Sequence, residues 1–334
     1  MTMKEKYLVT GAAGHLGSAI TRELIKRGRE VRVLVLPNEK HIPEGVCEVC
    51  HGDVCNKESL RCFFDHLENE KIVLIHCAGI VSIASGYIRE VYEVNVNGTK
   101  NIVDLSEQHK IDKLIYVSSV HAIPEKPKGE MIVEIDDFNP NEVVGLYSKT
   151  KAEATAYVLA AAKRGLNVNV VHPSGISGPF DQGRGHLTTL VTDYYKGRLS
   201  AGMKGGYDFV DVRDVANGII SCCEKGLPGE CYILSNKYFT VREILEMLHE
   251  LTGKRKIKTY LPYWFVRMTA PLAEIYYTIL RQPPLFTAYS IFTLRTNALF
   301  SHQRATDTLG YTTRDMRQTL RDTVSWLKEE GRIE

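Results

Sequence analysis

The chain has 334 residues, of which 44% are hydrophobic and 25% charged, and its net charge is +2. Those proportions are those of a globular protein of one large or two medium domains, and the near-zero charge gives no pull towards nucleic acid or membrane surfaces. No uncharged apolar run approaches the roughly 18 residues of a membrane span, and the N-terminus lacks a secretory signal, so a cytoplasmic location is expected.

In chain order, Tyr7–Thr10 reads as a short apolar strand ending in glycines. His15–Gly28 follows with Leu16, Ile20, Leu24 and Ile25 at helical spacing. Val31–Leu36 and Glu48–Gly52 are the next strands. Then come Ile72–His76, Leu114–Ser118 and Val168–Val171, separated by helical segments near Ser59–Leu67, Gly98–His109 and Tyr147–Arg164. Apolar strands alternating with helices predict an α/β fold: a doubly wound parallel sheet of Rossmann type, covered on both faces. After Val171 glycines and prolines multiply. Helices are expected at Leu187–Lys196 and Val212–Glu224, a strand at Cys231–Ser235, and a helix at Thr240–Thr252 with Thr240 and Glu243 as a capping box. The predicted division is a nucleotide-binding domain over residues 1–171 plus about 211–235. A smaller substrate-binding domain then takes about 172–210 plus 236–334.

The eight cysteines are scattered. Cys47 and Cys50 form a lone C-x-x-C without a partner motif, so reduced thiols and no metal site are expected.

The segment Thr10-Gly11-Ala12-Ala13-Gly14-His15-Leu16-Gly17 opens the first helix directly after the first strand. Gly11 permits the turn, Gly14 admits a pyrophosphate to the backbone amides, and Gly17 allows close helix–strand packing. An NAD(P)(H) cofactor is implied, with Ala13, His15 and Leu16 on the same turn. The tip of the second strand, Leu36, carries no carboxylate to repel a 2′-phosphate, and Arg32 or Lys40 can reach one. This favours NADP(H) over NAD(H), although Glu39 can equally serve NAD. Asp53-Val54 follows a strand at the sheet edge, where the aspartate either accepts from an adenine amine or is a solvated turn residue.

Tyr147 and Lys151 stand four residues apart near a helix start and share one face. An ammonium beside a phenol favours the phenolate and makes Tyr147 an acid or base near neutrality. Ser119 follows a strand at the sheet's carboxyl edge and can donate to a substrate oxygen as charge develops; Ser118 is the fallback.

Taken together, TGAAGHLG, GDV (Gly52–Val54), HCAG (His76–Gly79), VNVNGTKN (Val94–Asn101), YVSS (Tyr116–Ser119), YSKTK, HPSGISGP (His172–Pro179) and FVDVRDVA (Phe209–Ala216) resemble the extended short-chain dehydrogenase/reductase superfamily over nearly the whole length. The resemblance implies that Ala78 and Gly79 line the cofactor, that Asn95 supports proton relay, and that Pro173–Ile176 pass near the nicotinamide carboxamide. A homodimer is implied in the same way.

Within that superfamily, His172 where arginine is common, and Val120-His121 after the serine, speak against sugar nucleotides. Tyr260, Tyr263, Trp264, Phe265, Tyr276, Tyr277, Phe286, Tyr289 and Phe292 crowd 33 residues, as a wall for a flat apolar substrate or as packed core or dimer surface. His121 reads as a pocket contact or, more simply, a surface-loop histidine. The expected activity is hydride transfer to or from an apolar hydroxy or keto small molecule resembling a steroid. The alternatives are a nucleotide-sugar epimerase or dehydratase, with a diphosphate held by Arg213 or Arg295, and a non-catalytic cofactor sensor.

Overall fold

The structure is a computed structural model that describes residues 4–67, 70–82, 86–183, 185–264, 268 and 295–334. Six strands come first in chain order: β1 (Lys4–Thr10), β2 (Glu30–Val35), β3 (Glu48–His51), β4 (Glu70–His76), β5 (Lys113–Val117) and β6 (Val168–Pro173). With a seventh strand, Cys231–Leu234, they form one parallel sheet. Its order is Cys231–Leu234, β6, β5, β4, β1, β2, β3.

The strands are apolar throughout because both faces are covered. Alternation along each strand feeds two cores. In β1, Tyr7 and Val9 enter one and Leu8 the other; in β4, Val73 and Ile75 enter the first and Ile72 and Leu74 the second. Helices His15–Lys26 and Val212–Lys225 close the first core with Ile20, Leu24, Ile219 and Ile220. Thr99–Gln108 and Leu146–Lys163 close the second with Ile102, Val103, Ala154 and Val158.

A third core lies apart. Helices His186–Tyr195, Val241–Thr252 and Met316–Glu329 pool Leu187, Val191, Ile244, Leu248, Leu320 and Leu327. The Thr240–Glu243 capping box is present as expected. A three-stranded sheet of Gly175–Ser177, Gly206–Asp211 and Lys237–Thr240 runs beside this core.

The side on which successive strands are added reverses between β1 and β4, whose last residues, Thr10 and His76, are partners in register. A doubly wound sheet opens its ligand crevice at the carboxyl ends of such strands.

Cys50 and Cys62 form a disulfide, which corrects the expectation that all eight thiols are reduced. The pair ties β3 to the short helix Arg61–Phe64. Among the described residues no helix is long and apolar enough to cross a membrane. Of the aromatic stretch, Phe265, Tyr276, Tyr277, Phe286, Tyr289 and Phe292 lie outside the described residues.

Candidate active site

At the crevice, Gly11 adopts φ +69°, and a Cβ on it would lie 2.8 Å from the Ala78 amide nitrogen. A Cβ on Gly17 would lie 2.1 Å from the Gly11 carbonyl oxygen, so the helix sits directly on the turn. Gly14, extended and exposed, caps helix His15–Lys26 without a side chain, which leaves the first-turn amides facing outwards. His15 is half-buried, and its Nε2 donates to the Pro179 carbonyl at 2.9 Å, joining this turn to the loop after the strand Gly175–Ser177. Ala13 is half-buried and Leu16 buried.

The other expected cofactor contacts occupy the same edge. Leu36 is 49% exposed beyond β2. Asp53 is exposed after β3 with Val54 buried behind it, and its Oδ1 accepts from the Cys55 amide at 2.9 Å. A cavity of about 340 Å³ opens there, lined by Asp53, Cys55, Ile80, Arg89, Glu90, Glu93 and Val94. Ala78 and Gly79 follow β4; Pro173 ends β6 and Ile176 lies in the strand after it.

Arg32 does not reach the crevice. It is 3% exposed; its Nε bonds Glu48 at 2.6 Å, and Nη1 donates to the carbonyls of Cys62, Phe63 and Asp65. A guanidinium spent on four internal partners cannot meet a 2′-phosphate. Lys40 remains, exposed.

Asn95 is buried within a π-helical turn, Glu93–Gly98, a geometry that re-aims side chains at functional sites. Its Oδ1 accepts from the Ile80 amide at 2.8 Å, and its Nδ2 donates to the Ile80 carbonyl at 3.0 Å and to Thr150 Oγ1 at 3.1 Å. Thr150 in turn donates to the Tyr147 carbonyl at 2.8 Å. The loop after β4 is thereby clamped to the helix that carries Tyr147 and Lys151.

A further series of hydrogen bonds enters Asn95 from the glycine turn. Thr99 donates to the Asn95 carbonyl at 2.7 Å, so it accepts from His76 Nε2 at 3.1 Å. His76 Nδ1 then accepts from Thr10 at 2.7 Å, and Thr10 accepts from the amides of Cys77 and Ala78 at 3.1 Å. Every donor and acceptor is assigned, and the imidazole is neutral: burial pushes its pKa down to about 3.

Tyr147, Ser119 and Lys151 are 8%, 6% and 5% exposed, so all three are buried. Lys151 Nζ donates to the Val117 carbonyl at 2.9 Å, and burial lowers its pKa to about 8. A Cβ on Gly79 would lie 3.2 Å from Asn95 Oδ1 and 3.4 Å from Lys151 Nζ. Both groups therefore converge beneath Gly79 in the loop after β4. The two serines separate cleanly. Ser118 Oγ bonds Thr155 Oγ1 at 2.7 Å inside the fold, whereas Ser119 Oγ accepts only the His121 amide, at 3.2 Å among the described contacts.

Two histidines hold this end of the site. His172 is fully buried and stacked on Phe138; its Nδ1 donates to the Ser119 carbonyl at 3.0 Å, and burial pushes its pKa down to about 4. His121 is not a surface-loop residue. It lies edge-on to Tyr147 at 6.0 Å between ring centroids and bonds Tyr207 Oη through Nε2 at 3.0 Å. Burial likewise pushes its pKa down to about 4. Tyr207 packs against Phe209 and Phe300 at 6.0 and 6.2 Å, continuing an aromatic wall away from Tyr147. Sequence reading missed Tyr207, Phe209 and Phe300. The alternation in Gly206–Asp211 was the available signal.

Arg213 is withdrawn from any diphosphate. It forms a two-point pair with Asp211 at 2.9 and 2.7 Å and reaches Asp322 at 2.7 Å. Arg295 lies 3.9 Å above the ring of Tyr263.

The profile of the NAD dependent epimerase/dehydratase family matches residues 7–234. The chain is 31% identical to sterol demethylase protein B of Methylococcus capsulatus, over 98% of this chain and 99% of that one. It is 26% identical to a putative dihydroflavonol 4-reductase of Synechocystis, over 100% of this chain and 97% of that one. Among solved structures it resembles gox2253, with a TM-score of 0.83 and 26% identity, covering 99% of this chain and 100% of the other.

Proposed function

The chain belongs to the NAD-dependent epimerase/dehydratase family and is an NAD(P)-dependent enzyme of the extended short-chain type; on that premise we propose that it moves hydride between nicotinamide and an apolar hydroxy or keto compound of steroid-like shape. The observation that carries the substrate class is the wall of His121, Tyr207, Phe209 and Phe300 beside Tyr147, together with the enclosure of Arg213 by Asp211 and Asp322. A flat ring system fits such a wall, and a sugar diphosphate finds no free guanidinium at Arg213.

The crevice fits the cofactor on its own geometry. Gly11, Ala13, Gly14, His15, Leu16 and Gly17 form the pyrophosphate turn. Leu36, Asp53 and Val54 border the adenosine end, while Ala78, Gly79, Pro173 and Ile176 border the nicotinamide end. When bound, the nicotinamide supplies or accepts the hydride. Tyr147 gives a proton to the carbonyl oxygen in the reducing direction and takes it back in the oxidising one. Lys151, one helical turn away, holds the ribose hydroxyls and favours the phenolate. Ser119 donates to the substrate oxygen as negative charge grows there. Asn95 keeps Gly79, Ile80 and the Tyr147 helix in register.

A preference for NADP(H) rests on Lys40 and on the apolar Leu36 at the strand tip. The division into a cofactor domain and a smaller substrate domain follows the separate third core. A homodimer and a cytoplasmic location complete the proposal, on the resemblance to the superfamily.

The test is a screen of the purified protein with NADH or NADPH against ketosteroids and related ketones, then against UDP-sugars. Expected is ketone-dependent cofactor oxidation that falls by roughly 10²-fold or more in Tyr147→Phe with cofactor affinity retained. Turnover of UDP-sugars without net cofactor oxidation overturns the reading.

A further inference from the structure

A second cleft, of about 290 Å³, lies between the loop after Ser119 and the segment near residue 295; its lining is Glu125, Lys126, Lys128, Tyr263, Arg295, Thr296 and Asn297. None of the residues that border the cofactor crevice contributes to it. Three of its seven lining residues are cations, and among the described residues none of the three forms an ion pair. Arg32, Arg213 and Arg314, by contrast, have carboxylate partners, whereas Lys40, Arg61 and Lys204, like the three cleft cations, have no ion pair among the described residues.

The walls are built, not draped. Asn297 is 7% exposed, and its Nδ2 donates to the carbonyls of Pro127 and Glu130 at 3.0 and 2.6 Å. Ile132 and Phe300 add a parallel bridge, with Ile132 N bonded to the Leu299 carbonyl at 2.8 Å. Lys126 is steadied by the Met131 carbonyl at 3.1 Å, and the Arg295 guanidinium by the face of Tyr263 at 3.9 Å. The lining also holds one carboxylate, Glu125, whose pKa is raised by partial burial.

Position ties the cleft to the catalytic end. Lys126 follows His121 by five residues, at most roughly 18 Å of chain. Phe300, three residues after Asn297, packs on Tyr207 of the aromatic wall.

We infer that this cleft binds an anionic group, such as a carboxylate, carried on the end of the substrate remote from the reacting carbon. The substrate class is thereby narrowed from apolar to amphipathic: a flat ring body along Tyr207 and Phe300 with an acid tail among Lys126, Lys128 and Arg295. This rests on the proposed hydride chemistry only for the identity of the ring body.

The experiment measures calorimetric binding of an oxo-cholanoate, a ketosteroid with a side-chain carboxylate, and of its methyl ester, to the full chain with its cofactor present. Inorganic phosphate serves as a competitor. Expected is binding of the acid roughly tenfold tighter than of the ester at low salt, as two or three partly exposed charge pairs supply. That advantage should shrink with added salt and vanish in Lys126→Ala/Lys128→Ala and in Arg295→Ala, while ester binding stays unchanged. Phosphate should compete only with the acid, and weakly. Equal binding of acid and ester, including none of either, overturns the inference, as does an advantage that survives both variants. Phosphate that binds as tightly as the acid overturns the tail assignment. An intact acid advantage without turnover of either compound strikes the reductase reading and supports this site.

Discussion

Ser118 and Ser119 are adjacent, alike and both buried, yet replacing each by alanine should produce opposite outcomes. Ser118 donates into the fold, to Thr155, which itself donates to the Lys151 carbonyl. Ser118→Ala removes a buried hydrogen bond but strands no donor, since Thr155 keeps its own acceptor. The loss should be about 1 kcal/mol of folding stability, with turnover largely retained. Ser119 accepts the His121 amide and is the serine proposed to meet the substrate oxygen. Ser119→Ala also costs about 1 kcal/mol through the lost cap, so stability does not separate the two variants. Turnover does: losing a donor to the developing oxyanion costs roughly 2.7–4 kcal/mol, or 10²–10³ in kcat. The assay pairs urea midpoints with kcat on the best ketone from the screen. A hundredfold loss in Ser118→Ala alongside near-normal kcat in Ser119→Ala would show that the strand end is read in the wrong register.

Burial holds Lys151 near a pKa of about 8, so its ammonium is lost as pH rises through that value. Cofactor KM should rise there in the natural protein and show no such limb in Lys151→Met. Stability moves the other way: the unfolded chain keeps this proton up to about 10.5, so the group adds stability as pH climbs from about 8 to 10.5. Arg32→Ala, which leaves three carbonyls and Glu48 without their guanidinium, should lose about 3 kcal/mol of stability yet leave the NADPH/NADH preference intact. Lys40→Ala should lower that preference without affecting stability, and the ratio of kcat/KM values for the two cofactors checks both. Thiol titration of the denatured, unreduced chain should count six free cysteines, with Cys50 and Cys62 paired; eight would refute the disulfide.

Strand and helix order up to Val171 was legible because it is written in local period, with continuous apolar runs and glycine at the first turn, and the helix Val241–Thr252 was legible from its capping box at Thr240. Tyr147 and Lys151 were legible for the same reason, since one helix carries both. What escaped depends on contacts between distant segments. Tyr207 reaches His121 across 86 positions of sequence. Gly206–Asp211, which carries it, pairs with Gly175–Ser177 and Lys237–Thr240 in a separate small sheet. Arg32 read as a candidate for the 2′-phosphate because strand alternation says which face a side chain takes, not that three carbonyls wait there. Cys50 and Cys62 are twelve positions apart without any motif between them, and only the docking of helix Arg61–Phe64 on β3 brings them together.

The run of hydrogen bonds from the amides of Cys77 and Ala78 through Thr10, His76, Thr99, Asn95 and Thr150 to the Tyr147 backbone has no slack, because each partner's direction is fixed by the next. Attempts to re-engineer coenzyme choice at the glycine turn will therefore not stay local. Any shift of Thr10 is handed across the sheet to the backbone of Tyr147, the proposed proton donor, so altered coenzyme selectivity and altered pH optimum should be inherited together.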